Sequence, residues 1–318
     1  MNPLVSILIP CHNAEKYVAS AIDSALAQTW PDKEVIVVND GSTDGSGAII
    51  ERYRPQGVKV IHQQNMGQCA AANRAYRASA GDYIKFFDAD DLLEPKTIEW
   101  QMERLAGSQT AVASAEWGRF FDDDLATFKL NPERVWHDLP ALDWLVGSWS
   151  DAWPMMQCAL WLIPRPVLER SGLWDTSLSL INDFEFFTRV LCHATEVRFT
   201  PGARLYYRSG VAGSLSRSLS RPAVESAFHS LMKGTGYLAD RRNDKTARLS
   251  CANVLQEFVY THYPDHGDLC RRVEARINEL GGSNLPPPVS PAFAPLCHLL
   301  GWKAVRRMQR WKWKLMPR

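Results

Sequence analysis

The chain has 318 residues, 46% hydrophobic and 22% charged, which fits a globular protein and excludes a disordered or fibrous one. Its net charge of +1 hides an asymmetry: seven bases, Lys303, Arg306, Arg307, Arg310, Lys312, Lys314 and Arg318, lie in an acid-free tail, leaving 29 bases against 35 acids, about −6, in the body. Seven cysteines without a C-x-x-C pair argue against a disulfide framework, MNPLVSILIP lacks a signal peptide's basic region, and no stretch reaches the roughly 18 apolar residues of a membrane span, so a cytoplasmic location is expected.

The run LVSILIP (4–10) is apolar and β-branched, as a buried strand requires. Asn13 is placed to cap a helix in which Val18, Ala21, Ile22, Ala25 and Leu26 recur at helical spacing. EVIVV (34–38) predicts a second strand, VKVIH (58–62) a third, and a helix over about 68–79 leads to a fourth, YIKFF (83–87). This alternation implies an α/β fold, a doubly wound, mainly parallel sheet with helices on both faces, whose ligands bind beyond the carboxyl ends of the strands. Pro10, Asp40 and Asp88 stand at three such ends and are expected to share a crevice.

The fourth strand runs straight into Asp88, Asp90 and Asp91, which repel one another unless protons or a cation sit among them. Neither a G-x-G-x-x-G turn nor a G-x-x-x-x-G-K-[ST] loop is present to hold phosphates. Crowded carboxylates suit Mg²⁺ or Mn²⁺, which bind through one or two carboxylates plus substrate phosphates. The rival reading is a solvated acidic turn.

Together VSILIPCHNAEKYVASAIDSALAQTW, EVIVVNDGSTDGS, NMGQCAAANRA, GDYIKFFDADDLLEP and GLWDTSLSLINDFEFFTRVL resemble the family 2 glycosyltransferases, inverting enzymes of the GT-A fold, over about residues 3–210. The resemblance implies that Pro10, Asn13 and Gly67 line a nucleotide pocket and that Asp40 partners a uracil or thymine base. It also implies that Asp88 faces the ribose or a metal-bound water, that Asp90 and Asp91 hold Mn²⁺ or Mg²⁺, and that Asp183 is the catalytic base, with Glu185 its rival. Many relatives have an acid where this chain has Asn182. Tyr207, Arg208, Ser214 and Ser216 resemble a lid near the donor phosphates. Residues 1–110 would form the nucleotide-sugar half of the GT-A domain and 111–220 the acceptor and catalytic-base half. The implied reaction moves a sugar from a UDP- or dTDP-sugar to a surface-glycan or lipid-linked acceptor. A sugar nucleotidyltransferase and a non-catalytic glycan- or nucleotide-binding relative are the alternatives; the first would want a Gly-rich basic loop where PCHNAEKY stands.

His262, His266 and Cys270 have the spacing of a zinc site, but Pro264 breaks the helix that spacing requires. Tryptophans 144, 149, 153, 161 and 174 suit the core better than an acceptor subsite, although one of them stacking on acceptor is plausible. Residues 221–283 read as a helical extension and 284–295 as a Pro-rich linker. On a wheel of about 100° per residue, 296–318 is a basic amphipathic helix, with Lys303, Arg306, Arg307, Arg310 and Lys314 on one side and Val305, Met308, Trp311, Trp313 and Leu315 on the other. An anionic membrane surface at the inner face of the cell membrane is its expected partner, docking on the acidic body the rival; nucleic acid is disfavoured by the apolar face.

Overall fold

A computed structural model describes residues 2–152, 154–210, 218–288 and 294–315, apart from the side chains of 294, 298 and 311–315. Strand β1 (Val5–Cys11) is followed by helix α1 (Val18–Leu26), β2 (Lys33–Asp40), α2 (Ser46–Glu51), β3 (Lys59–Gln63), α3 (Gln68–Arg77) and β4 (Tyr83–Phe86). These four strands form a parallel sheet ordered β3-β2-β1-β4. All seven residues of β1 are buried, so both faces of the sheet are covered, which is why LVSILIP reads as continuous rather than alternating.

Next come β5 (Leu92–Leu93), α4 (Thr97–Leu105), β6 (Val112–Phe121), β7 (Asp124–Leu130), β8 (Leu139–Pro140), α5 (Ala141–Trp149), β9 (Ile163–Pro164), α6 (Arg165–Ser171), α7 (Asn182–Leu191) and β10 (Glu196–Ser209). Strand β9 adds antiparallel to β4, closing the first sheet. A second sheet has the order β5-β10-β6-β7, with β8 also on β10. The two sheets share one core, in which Trp174 stacks on Phe186 at 3.8 Å and Phe86 meets both rings edge-on. Trp144, Trp149, Trp161 and Trp174 are all buried there, so these four belong to the core; Trp153 lies outside the described residues.

Asn13 does not cap α1. It takes a left-handed conformation (φ 49°), a region asparagine tolerates, and the helix begins at Val18 with Tyr17 before it. The helical extension consists of α8 (Arg221–Arg241), α9 (Lys245–His262) and α10 (Gly267–Glu279). Ser220 and Asp244 cap α8 and α9 by accepting the N–H groups of Ala223 and Ala247. His262 is buried against Phe258, burial lowers its pKa to about 4, and among the described residues the zinc triad does not assemble.

The tail is two helices, α11 (Ala294–Leu300) and α12 (Trp302–Leu315), broken at Gly301 (φ 77°). Its first turns dock on the extension. Trp302 packs edge-on to Tyr260 and Tyr263, Val305 is buried, and Lys303 and Arg310 pair with Glu274 and Asp265. Leu296, Leu299, Leu300 and Met308 remain exposed. Among the described residues, no helix is long and apolar enough to cross a membrane.

Candidate active site

The carboxyl ends of β1, β2 and β4 bring Pro10, Asp40 and Asp88 to one edge of the first sheet. Asp40 is buried and shapes the loop after β3. Its Oδ1 accepts from Gln63 Nε2 at 2.7 Å and Met66 N at 2.8 Å, and its Oδ2 accepts from Gly67 N at 2.8 Å. Gly41 must be glycine here, because a Cβ would lie 2.5 Å from Asn65 N. Gly67 (φ 88°) turns the chain into α3. Asn13 Oδ1 accepts from Thr43 N at 2.8 Å and joins the two loops.

Asp88, Asp90 and Asp91 can bring one carboxylate oxygen each within 4.8 Å of the others. Asp88 Oδ1 accepts from Gln68 Nε2 at 2.8 Å and its Oδ2 from Gln157 Nε2 at 2.9 Å. Asp91 Oδ1 accepts from Arg208 N at 2.8 Å and its Oδ2 from the same Gln157 nitrogen at 2.9 Å. Among the described residues, none donates a side-chain hydrogen bond to the Asp90 carboxylate. Burial raises the pKa of all three; Asp90 reaches about 6, with Asp88 adding to the effect. Crowded carboxylates with hard oxygen atoms fit a divalent cation.

Across from this cluster, α7 presents Asp183. Burial and then Asp88 hold its carboxyl well above the ordinary value. Asn182 Nδ2 reaches Gln68 Oε1 at 3.4 Å, tying the start of α7 to the residue that holds Asp88. Glu185 points into a different environment: it is 2% exposed, grips Arg189 at 2.8 and 3.1 Å and accepts from Tyr237 Oη. These bonds turn the Glu185 carboxylate toward Arg189 and Tyr237 of α7 and α8.

Residues 6–169, just over half the chain, match the profile of Glycosyl transferase family 2. The chain belongs to that family. Among its relatives, "Putative glycosyltransferase EpsH" of Bacillus subtilis is 37% identical over 43% of this chain, and "Uncharacterized glycosyltransferase EpsJ" of the same organism 48% identical over 71%. These matches span 40% and 66% of the relatives' own lengths. Among solved structures, Staphylococcus aureus TarS 1-349 in complex with UDP-GlcNAc superposes with a TM-score of 0.60 at 17% identity, over 87% of this chain and 92% of that one. The mannosyltransferase PcManGT of Pyrobaculum calidifontis, in complex with GDP-Man and Mn²⁺, gives 0.56 at 19% identity over 97% and 83%. The fold of this family 2 chain is therefore the GT-A fold expected from its sequence.

Within this family 2 chain, Arg208 is no loop residue. It sits at the end of β10, 5% exposed, with its guanidinium between the rings of Tyr17 and Phe120 and paired to Asp123. Ser214 and Ser216 lie outside the described residues. Sequence reading missed Gln68 and Gln157, because glutamines carry no pattern that marks them. It also missed Lys85, wholly buried in β4, whose Nζ donates to Gln101 Oε1 at 2.9 Å and whose pKa burial lowers to about 7.

Proposed function

We propose that this chain is an inverting glycosyltransferase that moves a sugar from a UDP- or dTDP-sugar to a hydroxyl of a surface-glycan or lipid-linked acceptor. The observation that carries the reading is the convergence of Asp88, Asp90 and Asp91 beyond β4, linked through Gln68 and Asn182 to the backbone of Asp183. Residues 1–110 supply the donor side. Pro10, Asn13 and Gly67 line the nucleotide pocket, and Asp40, with lone pairs beyond those used by the loop, accepts the base's imide N–H. Asp88 meets the ribose, and Asp90 and Asp91 hold Mn²⁺ or Mg²⁺, Asp90 with its carboxylate unencumbered.

When bound, the cation would offset the charge of the donor's diphosphate. Asp183, from the acceptor half 111–220, takes the proton of the acceptor hydroxyl as that oxygen bonds to the anomeric carbon and the bond to the diphosphate oxygen breaks. The TarS complex with UDP-GlcNAc and the PcManGT complex with GDP-Man and Mn²⁺ support the donor class and the metal.

The chain works at the inner face of a membrane, resting on anionic lipid through 296–318. The exposed Leu296, Leu299, Leu300 and Met308 support this, although Trp302, Lys303, Arg307 and Arg310 are engaged with the body. A panel of nucleotide sugars with Mn²⁺ tests the reading: one donor should raise the melting temperature and be turned over, whereas no stabilisation by any of them refutes it.

A further inference from the structure

Two neutral amides hold the acid cluster, and their orientation is fixed by bonds at their other ends. Gln157 Oε1 accepts from Ala159 N at 2.6 Å, capping the 3-10 turn Cys158–Leu160, so its Nε2 must be the atom between Asp88 and Asp91. Gln68 Oε1 faces Asn182 Nδ2, so its Nε2 must be the atom on Asp88. Asn182 Oδ1 in turn accepts the N–H of Asp183 at 3.0 Å. The bonds run unbroken from Asp91 through Gln157, Asp88, Gln68 and Asn182 to the backbone of Asp183. Gln157 comes from beyond α5, 66 residues away from Asp91 in sequence, so no local turn explains the contact.

We infer that Gln157, assisted by Gln68, is the positioning residue of the cation site. This rests on the metal-dependent reading above. The chemistry favours an amide over the alternatives. A lysine or arginine at this point would neutralise the cluster and compete with the cation, and an apolar residue would leave Asp88 held by Gln68 and Asp91 by Arg208 with no bond linking the two carboxylates. An amide donates two hydrogen bonds and no charge, so both carboxylates are aimed while the negative charge that attracts the cation is kept. Asp90, without such a tie among the described residues, is left to coordinate. Asn182 extends the neutral chain without adding another charge beside Asp88 and Asp183.

The test is Mn²⁺ affinity in the presence of UDP, read from the electron paramagnetic resonance signal of free Mn²⁺, beside the melting temperature in chelator. Gln157→Met keeps length and burial but has no N–H. It should weaken Mn²⁺ binding on the order of 10–100-fold, the usual effect of losing an outer-layer partner of a metal ligand, while the melting temperature changes little. Gln157→Asn keeps the amide on a stem too short to span both carboxylates and should fall between; it also serves if the methionine variant does not fold. Mn²⁺ affinity within twofold of the unsubstituted protein in a folded variant overturns the assignment, whatever happens to the melting temperature. No Mn²⁺ binding by the unsubstituted protein with UDP would overturn the metal reading itself, and this inference with it.

Discussion

Replacing Asp90 by asparagine should stabilise the metal-free protein while removing cation-dependent donor binding. The carboxyl of Asp90 rises from 3.8 to about 6 on folding, chiefly through burial and then through Asp88. That rise corresponds to about 3 kcal/mol of unfavourable energy when the group is charged. The folded value is raised, so the cost is absent below about pH 4, grows as pH rises and is complete above about 6. Asparagine has the same shape and no charge, so the variant should gain up to about 3 kcal/mol at pH 7.5 in chelator and almost nothing at pH 4. With an unfolding entropy of about 2.1 cal/mol/K per residue, the gain over 318 residues amounts to about 4 °C. Thermal unfolding of both proteins in EDTA at the two pH values measures it, and calorimetry with Mn²⁺ and UDP measures the loss of binding. A variant no more stable than the parent at pH 7.5 would refute the claim that Asp90 is held charged at a cost. The same reasoning makes Mn²⁺-dependent donor binding fall away in the parent as pH drops through about 6.

Three further outcomes separate chemistry from scaffold. Asp183→Asn should leave donor affinity nearly intact and cut transfer about 10²- to 10⁴-fold in single-turnover assays; near-normal transfer would remove Asp183 from the role of base. Glu185→Ala strands the half-buried Arg189 and should cost about 3–5 kcal/mol in urea unfolding, yet donor affinity of the folded protein should persist, and a stable variant that cannot transfer would reverse the two roles. Deleting 296–318 should abolish sedimentation with anionic vesicles while keeping donor-dependent thermal stabilisation; full-length protein that stays in the supernatant at low salt sinks the membrane reading.

The parallel half of the fold was legible because its strands are continuous apolar runs separated by helical spacing, a pattern that burial on both faces imposes. The second sheet was not read from the sequence. Its central strand, β10, pairs with β6, which lies far upstream in the chain, and local periodicity cannot report such a partner. Asn13 misled because a residue suited to capping a helix is equally suited to a left-handed turn, and Thr43 decided between them. The acid cluster announced itself by charge alone. The tail's helical wheel found two faces but could not say which turns inward: the surface of α9 and α10 chose Trp302 and Val305 and left Met308 outside.

Arg208 ties the end of β10 to the acid cluster. Its backbone N–H holds Asp91, its Nε donates to the carbonyl of Asp90, and its far end is gripped at the turn between β6 and β7. Moving the end of β10 at Arg208 therefore means surrendering a bond to the acid cluster. Reciprocity follows: any ligand that fixes those carboxylates restricts the strand end, and whatever restrains the strand end tightens binding at the carboxylates by the same factor.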